Sequence, residues 1–139
     1  NRMKGFDIYE KIDEFVGKNE EFTFTYIGRE LGTFKHSKVI SPMSGKKLAD
    51  ELKRYDLYVS GAKFEAMGNH ITESLACRIP TYAHVNGGGT VELVGKNHIY
   101  YNWDELKRKL LTKRYECNEF VPHTWEECIK QFSDIFQKL

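Results

Sequence analysis

The chain has 139 residues, of which 21 are Lys or Arg and 20 are Asp or Glu, giving a formal net charge of +1, with 40% hydrophobic and 14% aromatic residues. This balance argues against a dedicated nucleic-acid arm or a polybasic membrane patch, and the apolar content excludes disorder as a description of the whole chain. No apolar run approaches the ~20 residues of a membrane helix, no apolar signal-peptide core follows Asn1-Arg2-Met3-Lys4, and the length suits one domain over residues 1–139, so the expected compartment is the cytoplasm.

Three cysteines, Cys77, Cys117 and Cys128, are an odd number without paired spacing and fit reduced thiols. They and His70, His84 and His123 lack the C-x2-C or H-x3-H spacing of a zinc site, so no metal is expected. Residues 1–4 read as a loop entering a helix and the first residue is not Met, which suggests a fragment of a longer protein.

In chain order, Phe6, Ile8, Tyr9, Ile12, Phe15 and Val16 recur at helical spacing and predict a helix over 5–16 with Gly17 as its stop. Phe22 to Ile27 is β-branched and aromatic and predicts a strand closed by Gly28; a short strand follows at 38–40. A helix is expected at 44–54, a strand at 56–60, a Gly-containing loop at 61–68, and a helix at 69–77 that buries Ile71, Leu75 and Ala76. Pro80 opens a strand over 80–84 that runs into Gly87-Gly88-Gly89, which reads as a ligand-facing loop. A weaker strand at 98–101 and helices at 103–112 and 124–138 complete the pattern. Trp103, Trp125 and Phe132 are expected in the core. The basic run Lys107-Arg108-Lys109 with Lys113-Arg114 reads as a solvated helix face, with attachment to anionic lipid as its second reading.

Alternating strands and helices at this length predict an α/β domain with a parallel sheet. In such sheets ligands gather where the carboxyl ends of strands meet helix N-termini, which would bring together residues 1–5, 28–32, 60–69 and 84–90. The most informative stretch is Glu65-Ala66-Met67-Gly68-Asn69-His70-Ile71-Thr72-Glu73. It places one carboxylate in a loop and a second about a turn into the next helix. Gly68 allows close backbone approach, and the free N–H groups of residues 68–70 suit a phosphate. His70 stands beside this seat, either as a phosphate donor or as a solvent-facing helix-start residue.

The run from Tyr55 to Val94 combines a strand ending in Ser60, the E-x7-E pair Glu65/Glu73, the helix Glu73-Ser-Leu-Ala-Cys, Pro80, the paired glycines and Glu92. In this order it resembles the donor-binding C-terminal domain of GT-B retaining glycosyltransferases, the class that includes glycogen and sucrose synthases. Lys4-Gly5 before a helix and Tyr26-Ile27-Gly28 ending a strand fit the same domain.

The resemblance implies a Rossmann-like parallel sheet flanked by helices, whose central first strand would precede Asn1 and is missing from the chain. It also implies hexose transfer from a nucleoside diphosphate sugar, a UDP- or GDP-sugar, to an acceptor with retention and without a further cofactor. An N-terminal acceptor domain would be the missing partner, no nucleic acid would be bound, and the parent enzyme could sit peripherally at the inner membrane surface. This fragment alone would bind donor without turning it over.

Carried over by position, Lys4 would neutralise the departing diphosphate, helped by Arg2, and Glu65 would face the transferred sugar. Glu73 would hold the ribose hydroxyls, and the N–H groups of Met67, Gly68 and Asn69 would cradle the phosphates. Ile40 and Ser41, with Pro42, would lie beside the base. Arg78 stands where the family often has glycine, which leaves the local turn free to differ. Two other readings are a non-catalytic nucleotide-binding or assembly module that keeps the fold, and a sugar-nucleotide epimerase on the same architecture.

Overall fold

The computed structural model describes residues 4–29, 33–120 and 122–137. Its elements in order are α1 (Phe6–Val16), β1 (Thr25–Ile27), β2 (Lys38–Ile40), α2 (Gly45–Leu52), β3 (Tyr58–Ser60), α3 (Asn69–Ala76), β4 (Thr81–His84), α4 (Thr90–Val94), a 3-10 turn (Lys96–His98), β5 (Ile99–Tyr100), α5 (Trp103–Leu111) and α6 (Trp125–Phe136). All strand pairing is parallel. β1 pairs β2 in register Tyr26 with Val39, and β3-β4-β5 form a second sheet with Val59 opposite Tyr82 and Ala83 opposite Ile99. This is the α/β, parallel-sheet architecture that the sequence pattern predicts.

Helices cover both faces because β4, the middle strand of its sheet, is apolar on both. Tyr82 joins Ile8, Ile12, Phe15, Tyr100, Leu106 and Leu110 in one core cluster, built from α1 and α5. Its neighbour Ala83 points the opposite way into a second cluster with Ile71, Leu75 and Val94, from α3 and α4. The i, i+4 spacing of Ile8 and Ile12 and the terminal Phe15 and Val16 form one buried stripe, which is why residues 6–16 settle as a helix. Asp13 is the polar member of that stripe. It accepts hydrogen bonds from the Lys35 N–H at 2.8 Å, the His36 N–H at 2.9 Å and the Ser37 hydroxyl at 2.5 Å, and so clamps the loop ahead of β2.

Caps set the later helices. The Asn102 side chain accepts from the Glu105 N–H at the start of α5, whose first turn is acidic and last turn basic, in keeping with the helix dipole. Thr124 and Glu127 form a reciprocal capping box that starts α6.

Some expectations change. The strand at 22–27 shortens to Thr25–Ile27, with Phe22 and Phe24 packed against the first cluster ahead of it. Residues 90–94 form a short helix that the glycine run concealed. Trp103 meets Phe15 edge-on at 5.9 Å, but Trp125 is 81% exposed and does not join the core; the Phe132 side chain lies outside those described. Ala76 is exposed while Ile71 and Leu75 are buried as expected. The basic run is partly occupied. Lys109 sits over the Tyr82 ring, and Lys113 pairs with Glu21 and lies over Phe22. Arg78 takes a left-handed backbone, φ 57°, so the turn into β4 is made with an arginine where glycine carries no such cost. Cys77, Cys117 and Cys128 are free thiols. Among the described residues no helix is long and apolar enough to cross a membrane.

Candidate functional site

The carboxyl ends of the strands carry the site. Gly5 ends the entry to α1 with φ 82°, and a Cβ built there would stand 2.3 Å from the carbonyl carbon of Gly61, just after β3. Only paired glycines let these two backbones touch. The contact fixes Lys4 over the loop that follows β3, where its Nζ lies 2.6 Å from Glu65 Oε1, 61 residues away in sequence. The structure therefore brings together the two residues expected to act in catalysis. Arg2 lies outside the described residues.

The Glu65 loop is held from below by the glycine run. Glu65 and Gly88 form a parallel bridge, the Gly89 N–H donates to the Glu65 carbonyl at 3.0 Å, and the Phe64 N–H donates to the Asn86 carbonyl at 2.8 Å. A Cβ at Gly88 would lie 2.4 Å from the Glu65 carbonyl oxygen and one at Gly89 2.3 Å from that of Ala66. Phe64 itself is left-handed, φ 60°, and 74% exposed. The glycines expected to face a ligand thus seat the loop that carries Glu65.

α3 starts at Gly68 with no side-chain cap. The Gly68 carbonyl accepts from the Ile71 and Thr72 N–H groups; Met67 and Asn69 are exposed, while Gly68 is buried, and a Cβ built there would meet His70 at 2.9 Å and Thr90 at 3.0 Å. Behind it, His70 Nε2 lies 3.1 Å from the Ser60 hydroxyl. Burial lowers the His70 pKa, with Glu65 opposing and Lys4 reinforcing that shift, so the ring is neutral near pH 7 and is neither fully solvated nor free of the site.

Glu73 is exposed one turn into α3 and shares the rim of a cavity with His70, Gly28, Pro42 and Met43. Pro42 and Met43 after β2 thus line the same cavity as Glu73, whereas Ile40 is half-buried in β2, Ser41 is exposed, and neither lines it.

A further polar group was not legible in the sequence. Lys63 Nζ pairs with Asp7 Oδ2 at 3.1 Å, and His84, buried at the end of β4, accepts from the Asn86 N–H at 3.0 Å. Burial lowers the His84 pKa, helped by Lys63 and opposed by Asp7. The signal available was only the position of each at the end of a strand or the start of a helix. Tyr9 of α1 likewise closes the site from within. Its phenol accepts from the Gly61 N–H at 3.0 Å, and burial pushes its pKa up to about 12. Among the described residues no group of three His, Cys, Asp or Glu side chains is arranged to hold a metal ion.

Residues 14–117, about three quarters of the chain, match the family model described as glycosyl transferases group 1. The chain is also similar to a sucrose synthase of Nitrosomonas europaea, 36% identical over 90 residues. That alignment takes in 58% of this chain and 11% of the relative, so the chain spans about a tenth of the length of the curated relative it matches. Lys4 lies ahead of the residues matched by the family model, and its placement rests on the contact between Gly5 and Gly61.

Proposed function

The chain belongs to the glycosyl transferases group 1 family, and we propose that it is the donor-binding domain of an enzyme that transfers a hexose from a nucleoside diphosphate sugar to an acceptor with retention. The observation that carries this reading is the meeting of Lys4 and Glu65 above the uncapped start of α3. A diphosphate in this position takes N–H groups and the helix dipole from α3 on one side and the ammonium of Lys4 on the other. Glu65 then faces the sugar, and Glu73, which lines the same cavity as Pro42 and Met43, takes the ribose hydroxyls.

In the transfer, the bond from the anomeric carbon to the donor phosphate oxygen breaks, and the acceptor oxygen bonds to that carbon on the same face. The acceptor proton passes to the departing phosphate. Negative charge grows on that phosphate in the transition state, so a preorganised cation lowers the barrier more than it strengthens ground-state binding. The Lys4–Glu65 pair is partly solvated, with side-chain exposures of 59% and 22%, so exchanging it for a Lys4–phosphate contact costs little. A second domain supplies the acceptor, and this chain alone binds donor without turnover.

Calorimetric titration with UDP, GDP and ADP tests the reading. Binding in the range from about 10⁻⁶ to 10⁻³ M is expected for at least one of them, because the phosphates supply most of the contact. The absence of heat with all three at millimolar concentration would overturn the donor-site assignment.

A further inference from the structure

The turn that follows β4 is tied down through its N–H groups. Val85 donates to the Tyr100 carbonyl at 2.9 Å, Gly87 to the His84 carbonyl at 2.8 Å and Gly89 to the Glu65 carbonyl at 3.0 Å. The Asn86 N–H instead has a side chain as its acceptor, Nδ1 of the buried His84 at 3.0 Å. A ring nitrogen accepts only while it carries no proton, so this bond requires a neutral imidazole with its hydrogen on Nε2.

The same residue passes the restraint on to the site. The Asn86 carbonyl accepts from the Phe64 N–H at 2.8 Å, and Glu65 is the next residue. The turn therefore grips Glu65 on both sides, through Phe64 ahead of it and through Gly88 and Gly89 at its carbonyl. Phe64 holds a left-handed backbone, φ 60°, with its ring 74% exposed, so packing of its own side chain does not impose that conformation. The bond to Asn86 does, together with the Lys63–Asp7 ion pair one residue earlier.

A proton on Nδ1 would face the Asn86 N–H, donor against donor. It would also add a second cation to the neighbourhood of Lys63, in the loop after β3. Tyr100 of β5, whose ring stands edge-on at 5.4 Å, carries no compensating charge. Asp7 of α1 does carry one. Its Oδ2 is held by Lys63 at 3.1 Å, while its Oδ1 is buried without a partner among the described residues. The charged ring thus loses its bond to Asn86 and is drawn toward Asp7.

We propose that neutral His84 is a positioning residue for Glu65, holding it through Asn86 and Phe64, and that protonation of the ring releases this tie, so that acid weakens recognition of the donor sugar and spares that of the nucleotide. Loss of sugar recognition rests on the donor-site reading above, whereas release of the loop does not.

The test compares the 139-residue chain with His84→Asn, whose Oδ1 can accept from Asn86 but does not titrate, and with His84→Leu, which has no acceptor. Amide exchange protection is followed at Phe64 and Asn86 from about pH 7.5 to about pH 4.5, with Leu110 inside α5 as the reference for global unfolding. In the parent, protection at both residues should fall by about tenfold or more as pH drops below about 6.5, while Leu110 holds. It should stay level in His84→Asn and be low at every pH in His84→Leu. An unchanged Phe64 in the parent, a fall shared by Leu110, or an equal fall in His84→Asn overturns the proposal. If His84→Leu does not fold, the parent and asparagine profiles decide alone.

Calorimetry then compares UDP with UDP-glucose and GDP with GDP-mannose. Near pH 5 the sugar nucleotide should lose about fivefold or more in affinity relative to its nucleotide in the parent but not in His84→Asn. Equal ratios in the two proteins overturn the link to sugar recognition. If none of the four binds near pH 7.5, the donor-site reading fails, and the exchange profiles still decide the role of His84.

Discussion

Adding a single methyl group at Gly5 tests how the site is built. Alanine at φ 82° costs about 1–2 kcal/mol, of which roughly 0.5–1 returns because alanine loses less chain entropy on folding than glycine, leaving about 1 kcal/mol. The new Cβ would also stand 2.3–2.5 Å from three backbone atoms of Gly61, so one backbone must move. Overpacking of that kind adds about 1–3 kcal/mol, for a total near 2–4 kcal/mol. Gly45→Ala is the matched control, since Gly45 is also left-handed, φ 59°, but has nothing within 4 Å of a built Cβ. It should cost only the conformational part. At this chain length about 3–5 °C of melting midpoint corresponds to each kcal/mol, so thermal denaturation followed by circular dichroism resolves the pair. Gly5→Ala should also weaken nucleoside diphosphate binding because it lifts Lys4 away from Glu65. Equal melting midpoints for the two variants, within about 2 °C, would refute the Gly5–Gly61 contact and with it the placement of Lys4.

Arg78→Gly should stabilise the chain by roughly 0.5–1 kcal/mol, read as a higher melting midpoint, because it relieves the left-handed arginine. An unchanged or lower midpoint would mean that the arginine side chain holds the turn by contacts of its own. The pH profile separates two groups. Burial lowers the pKa of both His70 and His84, so their contribution is complete above the ordinary histidine value of about 6.5 and is lost as pH falls through their depressed values. A melting midpoint that stays level from pH 7 to 5 would show that both rings accept protons freely. At Asp13 burial acts upward, but the Ser37 hydroxyl and the Lys35 and His36 amides outweigh it and lower the pKa. Asp13→Asn should cost about 1.5–3 kcal/mol at pH 7, and its difference from the parent should shrink below about pH 4; a pH-independent difference argues against the charge. Glu73→Gln should weaken nucleotide and nucleotide sugar alike by about 1–3 kcal/mol, while Glu65→Gln should spare the nucleotide; equal losses for both ligands in both variants would remove the division of roles.

Periodicity made the fold legible where one face dominates. The stripe of Phe6, Ile8, Ile12, Phe15 and Val16 allows only one helix, and Thr81 to His84, buried on both faces, reads as a central parallel strand. α4 was hidden because five residues after three glycines carry no periodic signal, and the helix exists through Thr90 and Val94 packing inward. Trp125 misled because its helical spacing marks an apolar stripe but does not say whether that stripe meets the core. At the site, Glu65, Gly68 and Glu73 could be ordered along the chain from local spacing. Their relation to Lys4 could not, since it depends on a glycine pair 56 residues apart, Gly5 and Gly61, whose approach no local pattern encodes.

That dependence gives the site its character. A solvated ion pair such as Lys4–Glu65 contributes about 0–1 kcal/mol, too little to position a loop against its conformational entropy of about 1–2 kcal/mol per residue. Position comes instead from backbone against backbone, Gly5 on Gly61, Gly88 on Glu65 and Gly89 on Ala66, each contact closed to any residue with a Cβ unless the chain moves. The backbone contacts thus set where Lys4 and Glu65 stand, and their ion pair adds little to that placement; in the proposed reading Lys4 would exchange the carboxylate for a phosphate with little movement of the main chain. In the transfer proposed above, where negative charge grows on the departing phosphate, this arrangement would fix the electrostatic donor by a scaffold that does not take part in the chemistry.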